Sequence, residues 1–584
     1  MAMFLKKARK SYKGKVYETY ALTESYRENG KVKHRNICNL GALTDEQASR
    51  IRLVLQAQQA HDVFVGPLVD VVAKQHFRFL DVAVLDQVWR QFDLHVFFES
   101  SPLVEAMAIN RCLQPKSKIQ IQQWTQKTVL PRLLKHTFDT DNEYGIYRVL
   151  DQITDREAEL QLHLYRKFKQ MGHTLEQAVF YDITSSYFEG GKCILAAYGY
   201  SRDHRPDRLQ VNIGLVITPQ GYPLYWRVMP GNTTDITTIE DILGDLRQRF
   251  GLTECLLVFD RGMVSEDNLQ AIASEHLTYV SAMDKDEIPK LQLLPSGFQE
   301  RVVSLDWKSH LLEDGFQAYD EHLVYREHVR QSRRYILAFD RRLHEDQQRH
   351  RQQLVQKAKD FVHRLNTELE QAQKSRDPDK LTRKIQSNLR KWNLHKVFAW
   401  RLIPLALTVR TKKGKERTVN SFEVTYTIQE EILKQQAAMD GITCFVTNQP
   451  PEKLTAAETI QYYRRKNKIE EAFQEMKQFL HLRPFYVSRE KRVRAHVSIC
   501  VLGYLLLNAI EQQLRQHGES LNVIHALEQL GDCLLNRIGP KDSERFTESI
   551  TEVTSEQKRL LEKLGCEHVV TKKFIHQLLE QPSM

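Results

Sequence analysis

In LLVFDRGMVSEDNL (residues 256–269) four apolar residues run directly into Asp260-Arg261-Gly262, and a helix signal begins at Ser265. A short continuous apolar run that stops at a turn signal reads as a strand buried in a sheet. Ser265 is a natural N-cap, and Glu266 and Asp267 put acids in the first turn, so SEDNLQAIASEH starts a helix. A buried strand holds the residue after it rigidly. A carboxylate at that position is therefore either a turn former or part of a site.

The neighbouring segments extend this strand–turn–helix unit. LEQAVFYDITSSYFEG is an apolar strand that reaches Asp182, and RLQVNIGLVITPQGYPLYWRVMPGN (208–232) reads as two strands around a Pro219–Gly221 turn. TTIEDILGDLRQRFG (237–251) reads as a helix that stops at a glycine; TYVSAMD and GITCFVTN (441–448) read as further strands. Hairpin strands followed by alternating helix and strand imply a mixed α/β sheet. Within it, Asp182 and Asp260 each end an apolar strand. Residues 300–440 break the rhythm. HEDQQRHRQQLVQKAKDFVHRLNTELEQAQKS carries Leu354, Ala358, Phe361, Leu365 and Leu369 on one stripe; with KLTRKIQSNLRKW it forms a charged helical hairpin, followed by strands. The region reads as an insertion into the sheet domain.

A third carboxylate comes from the helix TAAETIQYYRRKNKIEEAFQEMKQFLHL. At about 100° per residue, Tyr462, Ile469, Phe473, Met476 and Leu480 form a core-facing side. Tyr463, Lys466, Glu470 and Lys477 fall together on its flank, and Glu471 points to solvent. Lys466 and Glu470 alone are an ordinary i,i+4 pair worth a few tenths of a kcal/mol. Together with Asp182 and Asp260, Glu470 makes three converging carboxylates, which repel one another unless a cation joins them. All-oxygen ligation suits Mg²⁺ or Mn²⁺, and such ions activate a water or a 3′-hydroxyl against a phosphodiester.

The rest of the chain bounds this reading. It has 584 residues, 84 Lys+Arg against 74 Asp+Glu, net +10, which favours polyanion partners only weakly. Eight scattered cysteines with no CxxC pair argue against zinc and fit a reducing cytosol. MAMFLKKARK lacks the apolar stretch of a signal peptide, and VSICVLGYLLLNAI (497–510) is too short to span a bilayer and reads as a core helix. Residues 1–45 are strand-like, with a hairpin signal at Asn29-Gly30. Their basic start (Lys6, Lys7, Arg9, Lys10, Lys13, Lys15) is either a solvated tail or a DNA-contacting arm. Residues 46–172 read as helical, and the segment after 510 as helices to the C-terminus.

The spacing Tyr463, Lys466, Glu470, Lys477 resembles the Tyr-(2)-Arg-(3)-Glu-(6)-Lys signature of a large group of bacterial insertion-sequence transposases, DDE enzymes with an RNase H-like core. YDITSSYFEG, YGYSRDHRPDRLQVNIGL, MPGNTTD and FDRGMVSEDNL resemble blocks of that group in the same order, and the likeness is best over 176–285 and 440–510. It implies that Asp182, Asp260 and Glu470 are a metal-binding catalytic triad, with Mg²⁺ or Mn²⁺ as cofactor. It also implies cut-and-paste transposition through a DNA hairpin, with Tyr463 and Lys477 at the terminal phosphate. The signature Arg is Lys466 here, which keeps the charge but loses the bidentate fork. Arg464 and Arg465 lie on other faces. Arg261 either contacts DNA or pairs with a local acid. His204, Arg205 and Arg208 form a basic loop that is either functional or solvated, and Glu189 reads as a solvated turn. Trp307, Trp392 and Trp400 are candidates for stacking a flipped base, or core residues.

The expected organisation is a β-hairpin module (1–45), a helical DNA-binding region (46–175), an RNase H-like core in two parts (176–300 and 441–510), an insertion (301–440) and a helical tail (511–584). The expected partners are double-stranded DNA, both terminal inverted repeats and target, and a second copy in a synaptic homodimer. The expected location is the cytoplasm, on the nucleoid when bound to DNA. The rival readings are a Mg²⁺ nuclease without strand transfer and an inactive DNA-binding protein on the same scaffold.

Overall fold

The computed structural model describes residues 2–57, 67–138, 143–173, 178–252, 254–410 and 415–580. The expected boundary at 175/176 lies outside them. The chain divides into two compact units, one of residues 1–87, 120–140 and 514–584, the other of 88–119 and 141–513. The N-terminal region and the C-terminal tail, expected to be separate, thus share a unit, while the helices of 88–119 and 143–170 belong with the core.

In the first unit β1 (Ala2–Tyr12), β2 (Lys15–Glu28) and β3 (Lys31–Gly41) form an antiparallel meander. Asn29-Gly30 makes a two-residue turn between Glu28 and Lys31, as expected, but a second hairpin at Lys13-Gly14 adds a third strand. The helix Asp45–Ala57 closes a small core of Leu5, Tyr20 and Ala48. The basic run from Lys6 to Lys15 is exposed on β1 and its turn, so it is a strand and not a loose tail. Two expectations are corrected here. The supposedly helical 46–175 contains β4 (Val71–Arg78), and the supposedly helical tail contains strands Leu534–Pro540 and Thr547–Ile550. These three pair into one sheet, with Phe77 opposite Leu535. Strands this short draw their stability from a partner far away in sequence, so their local signal is thin.

The second unit is built on β5 (Val179–Tyr187), β6 (Gln210–Ile217), β7 (Pro223–Pro230), β8 (Leu256–Phe259), β9 (Thr278–Ala282), β10 (Gln317–Ala318), β11 (Leu323–Arg330), β12 (Arg333–Asp340) and, after the hairpin β13 (Phe398–Arg410) and β14 (Glu416–Ile428), β15 (Ile442–Thr447). Among the described residues these give a nine-stranded sheet ordered β10-β11-β12-β15-β9-β8-β5-β6-β7. β5, β8 and β9 are parallel and central; the flanks are antiparallel. β8 is buried along its whole length, as the apolar run 256–259 required. Ser265 caps its helix by accepting from the Asn268 N–H, and the helix Ile239–Phe250 stops at Gly251.

The insertion is narrower than 301–440, because β10, β11 and β12 belong to the main sheet. Its separately packed part is the helical hairpin Arg341–Glu370 and Pro378–Lys391 with β13 and β14. Leu354, Ala358, Phe361, Leu365 and Leu369 join a core of their own there. It leaves the sheet at the end of β12 and returns at β15, and these two strands are neighbours, with Phe339 opposite Ile442.

The helix Glu490–Gln516 runs beyond the 497–510 block and, contrary to expectation, is long as well as apolar enough to cross a membrane; 94% of its apolar window is buried inside the protein, which makes it the core helix expected. It is fastened to the sheet at the β6–β7 turn: the Tyr504 hydroxyl donates to the Gly221 carbonyl at 2.8 Å and Asn508 to Gln220 at 3.3 Å. Gly221 has φ +89°, and a Cβ there would lie 2.6 Å from Asn508 Oδ1. Gly221→Ala is therefore expected to cost about 1–3 kcal/mol in denaturant unfolding, from backbone strain and lost contact; an unchanged midpoint would show the fastening to be dispensable.

Burial, reinforced by Glu511, pushes the Glu475 carboxyl up to about 7 against the pull of Lys468. A carboxyl raised in the folded state gives stability that is complete below the unfolded value and lost as pH rises through the folded one. Glu475→Gln should thus be neutral near pH 5 and stabilising, by about 2 kcal/mol after allowing for partial solvent access, near pH 8.5. Melts at the two pH values check this, and equal effects at both would refute it.

Candidate active site

The parallel register of β5 and β8 sets Val179, Phe180 and Tyr181 against Leu257, Val258 and Phe259. The next residues are Asp182 and Asp260, so the register places the two carboxylates abreast where β8 ends. Asp182 does not end its strand, contrary to expectation. β5 continues to Tyr187 because β6 still pairs with it, with Asp182 opposite Leu215.

The helix expected over 455–482 is two helices, Ala456–Arg465 and Asn467–Gln478. The first has the capping box of Thr455 and Glu458 and packs its buried Ile460 over β9, β12 and β15. Tight i→i+3 bonds, Lys466 N–H to Tyr463 O at 3.1 Å and Ile469 N–H to Lys466 O at 2.9 Å, mark the break. They aim Lys466 inward, so that it is only 3% exposed. Its Nζ lies 2.9 Å from Glu470 Oε1 and 3.3 Å from Asp260 Oδ1. The Tyr463 hydroxyl donates to the same Asp260 oxygen at 3.3 Å, and its ring packs on Phe445.

The electrostatics follow from this geometry. Burial pushes Asp182 up to about 6 against the pull of Lys466, and Asp260 adds to the rise. Burial also acts on Asp260, but the charge and hydrogen bond of Lys466 outweigh it and hold this carboxyl below its usual range. Burial alone would lower the Lys466 ammonium; the charges of Asp260 and Asp182 and the bond to Glu470 hold it above the ordinary lysine value. Two adjacent carboxyls driven apart in this way are a recurring property of functional sites.

Lys477 is not in this cluster. Its Nζ pairs with Asp203 Oδ1 at 2.8 Å, and Arg483 pairs with the same buried carboxylate. Asp203 was missed, as was Arg202, whose N–H donates to Ser185 Oγ at 2.8 Å and whose charge acts on Asp182 and on Lys477. Both lie in SRDHRPDR, whose acids were not weighed against its bases. Arg261 is half-exposed, 3.9 Å from Asp284. His204 is exposed; Arg205 grips Asp207 through two bonds of 2.9 Å and drives that carboxyl down to about 2. Arg208 pairs with Glu189, which fits a solvated turn. Arg464 reaches Asp320 and Asp340, away from the cluster. Trp307 packs on Phe339, and Trp400 on the insertion core. Trp392 packs on Phe361 and also lines a cavity of about 880 Å³ with Lys285, His350 and Lys396.

One carboxylate within β5, a second just past β8 and a third on the helix packed against β5 make an all-oxygen set suited to phosphoryl transfer. Residues 173–506 match the family described as transposase DDE domain, and the chain belongs to that family. Residues 5–63 match the IS1634 family transposase, N-terminal domain. No curated protein matches the chain. The protein is thus a DNA-binding insertion-sequence transposase that transfers phosphoryl groups on DNA. Enzymes of this class typically use a divalent metal. The donor set of Asp182, Asp260 and Glu470, all oxygen, suits such an ion. As the side chains stand, no three Asp, Glu, His or Cys among the described residues are gathered tightly enough to hold one. The Lys466 ammonium bridges Asp260 and Glu470 instead.

Proposed function

We propose that this transposase cleaves its insertion-sequence ends and joins them to a target by cut-and-paste through a DNA hairpin, with Asp182, Asp260 and Glu470 as the metal-binding triad and Mg²⁺, or Mn²⁺, as the ion. The observation that carries this reading is the buried Lys466 ammonium between Asp260 and Glu470 with Asp182 abreast, since carboxylates gathered this way need a cation. A bound divalent ion would sharpen a water or 3′-hydroxyl as nucleophile and stabilise the leaving oxygen. The carboxylates hold that charge; Lys466, relieved of Asp260 and Glu470, turns to a DNA phosphate. Tyr463 donates its hydroxyl to the terminal phosphate, and Lys477, positioned by Asp203, neutralises it. Arg261, His204 and Arg205, on loops at the same sheet edge, line the DNA path. Trp392, at the border of its cavity, is the tryptophan we favour for the flipped base.

The central parallel trio flanked by antiparallel hairpins supports an RNase H-like core. The exposed basic β1 supports end binding by the N-terminal sheet; a synaptic dimer, in the cytoplasm at the nucleoid, completes the proposal. The test is an end-labelled duplex carrying the element's own terminus, incubated with Mg²⁺. A nick followed by a hairpin product is expected. Nicked or broken linear DNA without hairpin would favour the nuclease reading, and binding without any cleavage would favour an inactive scaffold.

A further inference from the structure

Away from the carboxylates, the second unit holds a cavity of about 290 Å³ lined by Arg111, Lys118, His481, Arg483 and His496, with no Asp or Glu among the described residues of its wall. Arg111, Lys118 and His496 are only 6%, 8% and 7% exposed. The Arg111 guanidinium is held by carbonyls, Leu480 O at 3.4 Å and Lys116 O at 3.2 Å, which leaves its Nε unpartnered. Lys118 Nζ is buried with no hydrogen-bond partner. His496 is engaged with the Leu482 carbonyl at 3.1 Å. A buried ammonium and a buried guanidinium with no counter-charge are costly, and proteins keep such groups paired or coordinated. Burial and the nearby Arg111 charge push Lys118 well below the usual lysine range, and burial lowers Arg111 as well; an anion in the cavity would reverse both.

We propose that this cavity is a phosphate site, filled by a backbone phosphate of bound DNA. Phosphate suits it because Arg111 and Lys118 line one space and neither has a carboxylate partner among the described residues. DNA suits it because Arg483, on the cavity wall, shares Asp203 with Lys477, which links the cavity to the signature helix. Tyr486, 83% exposed at the rim, leaves the mouth open to a strand.

Inorganic phosphate, titrated against the full-length protein at constant ionic strength, should raise its melting temperature where chloride does not. Lys118→Met should lose that response, yet melt no lower than wild type in phosphate-free buffer, because an uncompensated buried charge is gone. For the DNA source, Lys118→Met should weaken binding of the end duplex by about tenfold and reduce the slope of log affinity against log salt by about one. Loss of the phosphate response with unchanged DNA binding would assign the site to free phosphate and overturn the DNA assignment. Unchanged responses in both assays would overturn the site altogether. Arg111→Gln gives the same readouts should Lys118→Met fail to fold. The phosphate arm contains no DNA and no divalent metal, so its outcome is independent of the triad.

Discussion

Asp260→Asn should reduce metal-dependent cleavage of the terminal duplex by at least about 10³-fold while DNA binding persists. The substitution keeps the shape of the side chain and removes one charge. The strand that positions it is buried along its length and does not depend on that charge. Lys466 would keep Glu470 at 2.9 Å, so the fold should survive with a modest loss of stability. Gel analysis of labelled ends, beside a filter-binding or anisotropy curve on the same preparation, separates the two effects. Cleavage that persists in Asp260→Asn would remove the triad from the proposal. Loss of binding and cleavage together would mean that the variant reports folding instead of chemistry.

Lys466→Met should be the most destabilising change at the site, by about 2–4 kcal/mol at pH 7.5 without metal, because it removes the ammonium that pairs with Asp260 and Glu470 and whose charge acts on Asp182. Two treatments should restore the loss. Mg²⁺ or Mn²⁺ should raise the melting temperature of the variant more than that of wild type, since wild type already has an ammonium there. Acidification should also help. Asp182 is already raised to about 6, and without Lys466 it would rise further. Its protonated form stabilises the fold at low pH, and that contribution fades as pH climbs through the folded value. Lys466→Arg should fold normally and cleave at least as well as wild type, because it keeps the charge and adds a planar fork. A Lys466→Met protein as stable as wild type in metal-free buffer would show that the ammonium is not what holds the carboxylates together.

Much of this site is written in local signals. The apolar run before Asp260, the Ser265 cap and the stop at Gly251 are each decided within a few residues, and all appear in the fold. The features that were not legible depend on distant partners. The strand of Asp182 seemed to end where its apolar residues end. Thr184, Ser185 and Ser186 are nevertheless buried, and β6 carries the strand through these polar positions to Tyr187. The apolar periodicity of the signature helix runs straight through Lys466, so nothing local announces the break. Lys477 sits on the expected flank, but the carboxylate that claims it comes from a loop more than two hundred residues earlier, read only for its bases. The pairing of β4 with Leu534–Pro540 likewise has no counterpart in either segment alone.

The way the insertion joins the sheet has a consequence for how such a chain can change. Asp340 N–H bonds to Gly441 O at 2.9 Å, and β12 and β15 lie side by side. To the sheet, everything between them is the loop of one hairpin. The entropy of closing a loop grows only with the logarithm of its length. That segment is therefore free to lengthen, shrink or acquire new surfaces over evolutionary time at little thermodynamic expense, while the spacing of Asp182 and Asp260 stays fixed by a register on the other side of β9.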